Sequence, residues 1–275
     1  MSEQQTQTNT LPTIAIVGRP NVGKSSLFNS ILKKRQAIVH FDSGVTRDRV
    51  SSTGVANGRR FRLVDTGGLG MGKGEKRGVD FWDQSIEKQV EVAIADADVL
   101  MVDGNELENA VEGAKYARQN GTKVLYDAGG LYDGIERLLP YADILIPSEE
   151  FALAHTGKSD AAEAAKALFD KYSPQVVVVT QGVKGGVIYD GKSAKTYPSF
   201  KVEALDSNGA GDVFHGAFAF SVIMGYNYYN ACIFSSAVSA LKCTKLGARD
   251  GVPTFLETVE FLKERGYNEF KENLE

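Results

Sequence analysis

Two short stretches carry residue types and spacings that could do chemistry. The first is Gly18-Arg19-Pro20-Asn21-Val22-Gly23-Lys24-Ser25. A glycine, four intervening residues and then Gly-Lys-Ser is the pattern of a loop whose backbone N–H groups curl around phosphates. The amides of Asn21, Val22, Gly23, Lys24, Ser25 and Ser26 would face the anion, and the following helix N-terminus adds partial positive charge. Lys24 would reach the outer phosphates, and the Ser25 hydroxyl suits Mg²⁺, a hard cation that prefers oxygen ligands. The second stretch is Asn208-Gly209-Ala210-Gly211-Asp212, a glycine turn before the apolar segment Val213–Met224. It reads as a second helix N-terminus able to hold an anion, with Asp212 placed to take a proton from an attacking hydroxyl. Read alone, the alternative is a plain glycine entry with Asp212 as helix N-cap.

These stretches need elements to hold them. The apolar run Ile14–Val17 precedes the first loop and the helical pattern Ser26–Leu32 follows it, the strand–loop–helix context that a phosphate loop requires. Arg59–Asp65 alternates like an antiparallel strand and pairs with Val50–Val55 through Asn57-Gly58. Asp80–Ala95 is an amphipathic helix carrying Trp82, the only tryptophan. Farther on, Asp98–Asp103, Lys123–Asp127, Ala142–Ile146 and Val176–Val179 read as strands. Asn105–Gln119 and Ser159–Tyr172 read as helices between them, and Gly186–Tyr189 with Lys195–Phe200 as a hairpin around Asp190-Gly191. Alternating strands and helices predict an α/β fold, a three-layer, doubly wound, mostly parallel sheet. Residues 1–11 read as a polar tail, 12–97 and 98–275 as two fused half-domains. Neither half closes its sheet alone, so one continuous sheet is expected, with strand 14–17 beside strand 99–103.

Composition narrows the function classes. A net charge of −4 offers no basic footprint for nucleic acid. Cys232 and Cys243, without a CxxC, read as reduced residues of a cytoplasmic protein. No apolar run approaches the roughly eighteen residues of a membrane span, and Met1–Thr10 is too polar for a signal peptide. His40, His155 and His215 lack metal-ligand spacing, and Glu149-Glu150 reads as a solvated helix start. No protein partner is evident.

Gly18 to Ser25, Thr46 with Arg47-Asp48, and Asp65-Thr66-Gly67-Gly68 together resemble the first three nucleotide motifs of the Era-like GTPases, most closely a G domain of the tandem-domain ribosome-assembly group (EngA, or Der). The resemblance covers roughly residues 12 to 97. It implies Thr46 as the threonine that closes on Mg²⁺ and the γ-phosphate, Asp65 as a metal-side carboxylate and Gly68 as a γ-phosphate sensor. It also implies a K⁺ role for Asn21. No glutamine follows Gly68, so the resemblance implies slow hydrolysis. The Asn-Lys-x-Asp that would read guanine does not follow.

Residues 98 to 266 instead resemble the C-terminal part of the ribokinase-like (PfkB) sugar kinases. The carrying residues are Val102-Asp103-Gly104, Asp127-Ala128-Gly129, Thr180-Gln181-Gly182 with Gly185-Gly186, and Asn208 to Asp212. This implies Asp212 as catalytic base, an anion hole from the amides of Gly209, Ala210, Gly211 and Asp212, and Thr180, Gly182 and Gly185 along an ATP site. The family's Asn-x-x-Glu reads here as Ser148-Glu149-Glu150-Phe151, and its N-terminal sugar-binding half is replaced by GTPase-like sequence. The order of halves reads as an engineered chimera. The expected function is Mg²⁺-dependent binding of GTP/GDP or ATP/ADP with weak base selectivity and slow or no hydrolysis. The alternatives are a sugar or nucleoside kinase using Asp212, and a folded scaffold without evolved activity.

Overall fold

The computed structural model describes residues 11–16, 50–56, 59–65, 90–248 and 251–270. The chain divides into two compact units, Met1–Asp98 with Leu274–Glu275, and Val99–Asn273.

In the first unit β1 (Thr13–Ile16), β2 (Val50–Ala56) and β3 (Arg59–Asp65) form a sheet of order β1-β3-β2. β1 runs parallel to β3 and β2 antiparallel to it. β3 is central, and its adjacent Leu63 and Val64 are both fully buried, so both of its faces are covered. The backbone N–H of Thr13 donates to Asp98 Oδ2 at 3.0 Å, and Arg62 meets Asp96 at 3.2 Å. Residues 90–95 are helical, the described end of the expected 80–95 helix. The phosphate loop, Asn21 to Ser26, with Thr46 and Gly68, lies outside the described residues, as does the side chain of Asp65.

The second unit holds β4 (Val99–Val102), β5 (Lys123–Ala128), β6 (Ile144–Pro147), β7 (Val176–Thr180), β8 (Gly186–Tyr189) and β9 (Ala194–Tyr197), adjacent in that order. β4 to β7 are parallel and β7-β8-β9 antiparallel. Helices α1 (Leu107–Gln119), α2 (Glu149–Thr156) and α3 (Ala161–Tyr172) return the chain between strands, and α4 (Ala210–Ile223), α5 (Tyr228–Cys243) and α6 (Phe255–Lys263) follow the hairpin. Successive strand side chains point to opposite faces. Leu125, Ile144, Ile146, Val176, Val178 and Ile188 join one core with α4, α5 and α6. Val124, Tyr126, Leu145, Val177 and Val179 point the other way, and α1, α2 and α3 pack against those strands. The result is the three-layer, doubly wound arrangement expected.

Three expectations need correction. The described strands form two sheets, of three and six strands, rather than one. β4 has the burial of a sheet edge: Met101 is 48% exposed and its neighbours only half-buried, whereas β6 is buried throughout. The second hairpin strand stops at Tyr197, because Pro198 has no N–H for the ladder. α4 begins at Ala210, not at Val213, so Asp212 sits inside its first turn; the N-cap is Gly209, in the left-handed region at φ 76°.

Candidate functional site

The described chemistry gathers where α4 begins, beyond the carboxyl ends of the strands, the position where open α/β sheets hold ligands. α4 starts through a left-handed residue, Gly209. A Cβ at Gly209 would also come within 3.0 Å of the Ala248 Cβ. The first-turn amides of such a helix have no intrahelical partners and present partial positive charge.

The turn that leads into α4 is held on all sides. The Asp206 carboxylate accepts from the backbone N–H of Asn208 at 2.9 Å and of Gly247 at 2.8 Å. These two amides, with Lys242 as a smaller contributor, hold its carboxyl below the usual carboxylate range. A depressed folded pKa contributes stability that is present above the unfolded value of about 4 and lost as pH falls through the folded value. Asp206→Asn should therefore flatten the acid limb of the melting-temperature profile below about pH 4; a limb as steep as in the unchanged protein would show that Asp206 does not carry it.

Facing α4 across an open space is the turn between β7 and β8. It needs Gly182 at φ 57° and Gly185 at φ 87°. The space has a volume of about 530 Å³. Its walls include Thr180, Gly182 and Gly185 from that turn, Ala210 and Gly211 from α4, and Phe200, Val202 and Ala204 from the segment after β9. Ser239 and Cys243 of α5 close another side, and Lys201 supplies a cation. None of the described residues that line it is acidic. Apolar walls, hydroxyls, a lysine and a helix N-terminus suit a ligand with a flat apolar part and an anionic part.

Beside the cavity the carboxylates converge. Asp103 follows β4, Asp127 lies near the end of β5 and Asp212 in the first turn of α4. His215 joins them. Its Nδ1 lies 2.7 Å from the Gly211 carbonyl, which can only accept, and its Nε2 lies 3.3 Å from Asp127 Oδ1 and 3.3 Å from the Ile146 carbonyl. Burial pushes the Asp127 carboxyl above its ordinary range; His215 pulls it back, and Asp212 and Asp103 push it further up. At the rim, Glu149 Oε1 accepts from Gln181 Nε2 at 2.7 Å and Glu149 Oε2 meets Lys184 at 3.7 Å.

The sequence-derived site residues thus separate into groups. Thr180, Gly182, Gly185, Ala210 and Gly211 line one cavity. Gly209 caps the helix beside it, and Asp212 is exposed on that helix's first turn. Asn21 to Ser26, Thr46, Gly68 and the Asp65 side chain lie outside the described residues. Sequence reasoning read His215 as lacking metal-ligand spacing and Glu149 as solvated, and gave neither a role at this site. The three-residue step from Asp212 to His215 puts both on one helix face and was the available signal. For Glu149 none existed, because Gln181 reaches it from the turn after β7. Among the described residues no group of His, Cys, Asp or Glu is arranged to hold a metal, and no helix is long and apolar enough to cross a membrane. Cys232 and Cys243 are free thiols, and burial pushes that of Cys232 well up.

Residues 74–255 match the family model of the pfkB family carbohydrate kinases, and residues 13–134 that of the 50S ribosome-binding GTPases. GTPase Der of Maridesulfovibrio salexigens is 44% identical over 120 residues, 42% of this chain and 26% of that protein. Ribokinase of Haemophilus influenzae is 31% identical over 189 residues, 66% of this chain and 60% of that protein. The chain therefore spans only part of either relative. Among solved structures, the Thermotoga maritima ribokinase aligns with a TM-score of 0.60 at 25% identity, over 92% of this chain and 80% of that one. The Arabidopsis thaliana ribokinase complexed with ribose and ATP shares the fold, with a TM-score of 0.65 at 21% identity, over 92% of this chain and 82% of that one. The molecule is thus two-part, GTPase-like in its N-terminal region and ribokinase-like in its C-terminal region.

Proposed function

The chain belongs to the pfkB family of carbohydrate kinases, and we propose that the cavity at the start of α4 binds a nucleoside di- or triphosphate. The observation that carries this reading is the meeting of Thr180, Gly182 and Gly185 with Ala210 and Gly211 around one space of about 530 Å³. The base lies against Phe200, Val202 and Ala204, and the phosphates against the amides of Gly209, Gly211 and Asp212, the Ala210 N–H being taken by the Ser207 carbonyl at 3.1 Å. Asp212 is the group to accept a proton from an attacking hydroxyl. Residues 12–97 read as GTPase-like sequence in the place of a ribokinase's sugar-binding half, so sugar phosphorylation is weak or missing.

A second site is favoured by the GTPase match over residues 13–134. Lys24 and the amides of Asn21 to Ser26 hold phosphates there, with Gly68 beside the outermost one. Ser25, Thr46 and Asp65 hold Mg²⁺, and Asn21 supports K⁺. No Asn-Lys-x-Asp follows to read guanine, and Asp127, the one carboxylate at the corresponding strand end, is engaged by His215. Triphosphate contacts are blind to the base, so GTP is preferred over ATP by less than roughly tenfold, a difference under about 1.4 kcal/mol. Hydrolysis is slow because no glutamine follows Gly68 in the sequence to orient water. The matches to two families overlap at residues 74–134 and favour an engineered chimera as the origin.

The test is a set of dissociation constants for GTP and ATP, in magnesium and potassium, for the full chain and for Lys24→Ala. ATP binding should persist in Lys24→Ala through the C-terminal cavity. A hundredfold preference for GTP would contradict the weak selectivity, and loss of all binding in Lys24→Ala would confine the nucleotide to the N-terminal loop.

A further inference from the structure

The last turn of α5 carries a lysine whose burial the site described above does not explain. Lys242 is fully buried. Its Nζ donates to the backbone carbonyl of Asp206 at 2.8 Å, while the Asp206 carboxylate is turned to the amides of Asn208 and Gly247. Taking an ammonium out of water is costly, and a neutral donor could hold one carbonyl as well. A cation adds electrostatic potential, which acts strongly where water is excluded.

The position gives that potential a use. The end of α5 grips the segment that enters α4 at several points. Leu205 and Asp206 donate their N–H groups to the Cys243 carbonyl at 2.8 and 3.1 Å, and Ser239 Oγ donates to the Ala210 carbonyl at 2.9 Å. Two carboxylates, Asp206 and Asp212, lie beside this helix start without lining the cavity, and their charge opposes a phosphate chain arriving there. The helix terminus offsets only about half a charge. Lys201 on the cavity wall is exposed and screened, whereas the Lys242 charge is buried and fixed.

We propose that Lys242 is a positioning residue for the phosphate site: its buried ammonium fixes the Asp206–Gly209 turn and supplies the positive charge that lets a nucleotide's phosphates dock at the start of α4. This rests on the nucleotide reading of the cavity. A purely structural role would affect ligands with and without phosphate alike, and a neutral donor would restore it.

The experiment compares ADP with adenosine in the full chain carrying Lys24→Ala, which silences the N-terminal loop. Lys242→Gln keeps a donor and removes the charge; Lys242→Met removes both. ADP affinity should fall about tenfold or more in Lys242→Gln, with adenosine affinity within about twofold of the parent. Unchanged ADP affinity in Lys242→Gln, or a parallel loss of ADP and adenosine, would overturn the proposal. Failure of the parent itself to bind ADP would overturn the nucleotide reading and this inference with it. If both variants fail to fold, the ¹⁵N resonance of the Lys242 ammonium in the parent decides. It should shift on addition of ADP and not of adenosine, and a resonance unmoved by ADP would refute the role.

Discussion

Replacing Gly211 with valine should remove ADP binding from the C-terminal unit while leaving that unit folded. Gly211 is the second residue of α4 and lines the cavity. A Cβ added there meets no atom within 4 Å, so the protein has room for it, and its backbone is not in the left-handed region. Valine is also a better helix residue than glycine. The added methyls therefore cost the fold little and project into the space where phosphate must approach the first-turn amides. The expected result, in a Lys24→Ala background, is a loss of ADP affinity of at least about a hundredfold, or about 2.7 kcal/mol. The melting temperature should stay within a few degrees. Titration calorimetry beside a thermal melt measures both. Unchanged ADP affinity would place the phosphates elsewhere.

The second large effect falls on stability. Gly185 holds φ 87° and ψ −118°, a conformation that costs a side-chain-bearing residue heavily. A Cβ there would lie 2.1 Å from the Tyr197 carbonyl oxygen and 2.8 Å from the Ser199 nitrogen. Both are backbone atoms of the β9 end, so neither can rotate away. Making room would separate the turn from β9 and strain the Gln181 N–H bond to the Gly185 carbonyl, now 2.8 Å. Gly185→Ala should cost roughly 3–5 kcal/mol, read as a lower urea midpoint at unchanged slope. Gly182→Ala, at φ 57° with no atom within 4 Å of the new carbon, should cost about 1 kcal/mol. Equal losses in the two variants would show that the close approach to Tyr197 is not what fixes the turn.

Much of this was legible in the chain. The alternation of apolar runs with helical patterns pointed to the parallel strands of the C-terminal sheet, and the runs of β5, β6 and β7 are largely buried on both faces. The pairing of β2 with β3 followed from Asn57-Gly58 and the alternation of Arg59–Asp65. The residues along the cavity were readable as glycine turns, since glycine adopts positive φ at no steric cost, as at Gly182, Gly185 and Gly209. What local pattern could not reveal depends on partners distant in sequence. Glu149 is fixed by Gln181, Asp127 by His215, and Lys242 by the Asp206 carbonyl. A charge in a sequence reads as solvated unless the fold that buries it is already known. The expected single sheet failed for a related reason: an unpaired edge argues that a strand needs a neighbour, but not which one.

The central claim, that the C-terminal unit holds a nucleotide at the start of α4, is tested most directly by photolabelling the full chain with 8-azido-ATP and mapping the modified peptides. The account predicts label in the cavity walls, within residues 180–204 or 236–243, and its loss when excess ADP competes. Label confined to residues 12–65, with none in the C-terminal unit, would contradict it.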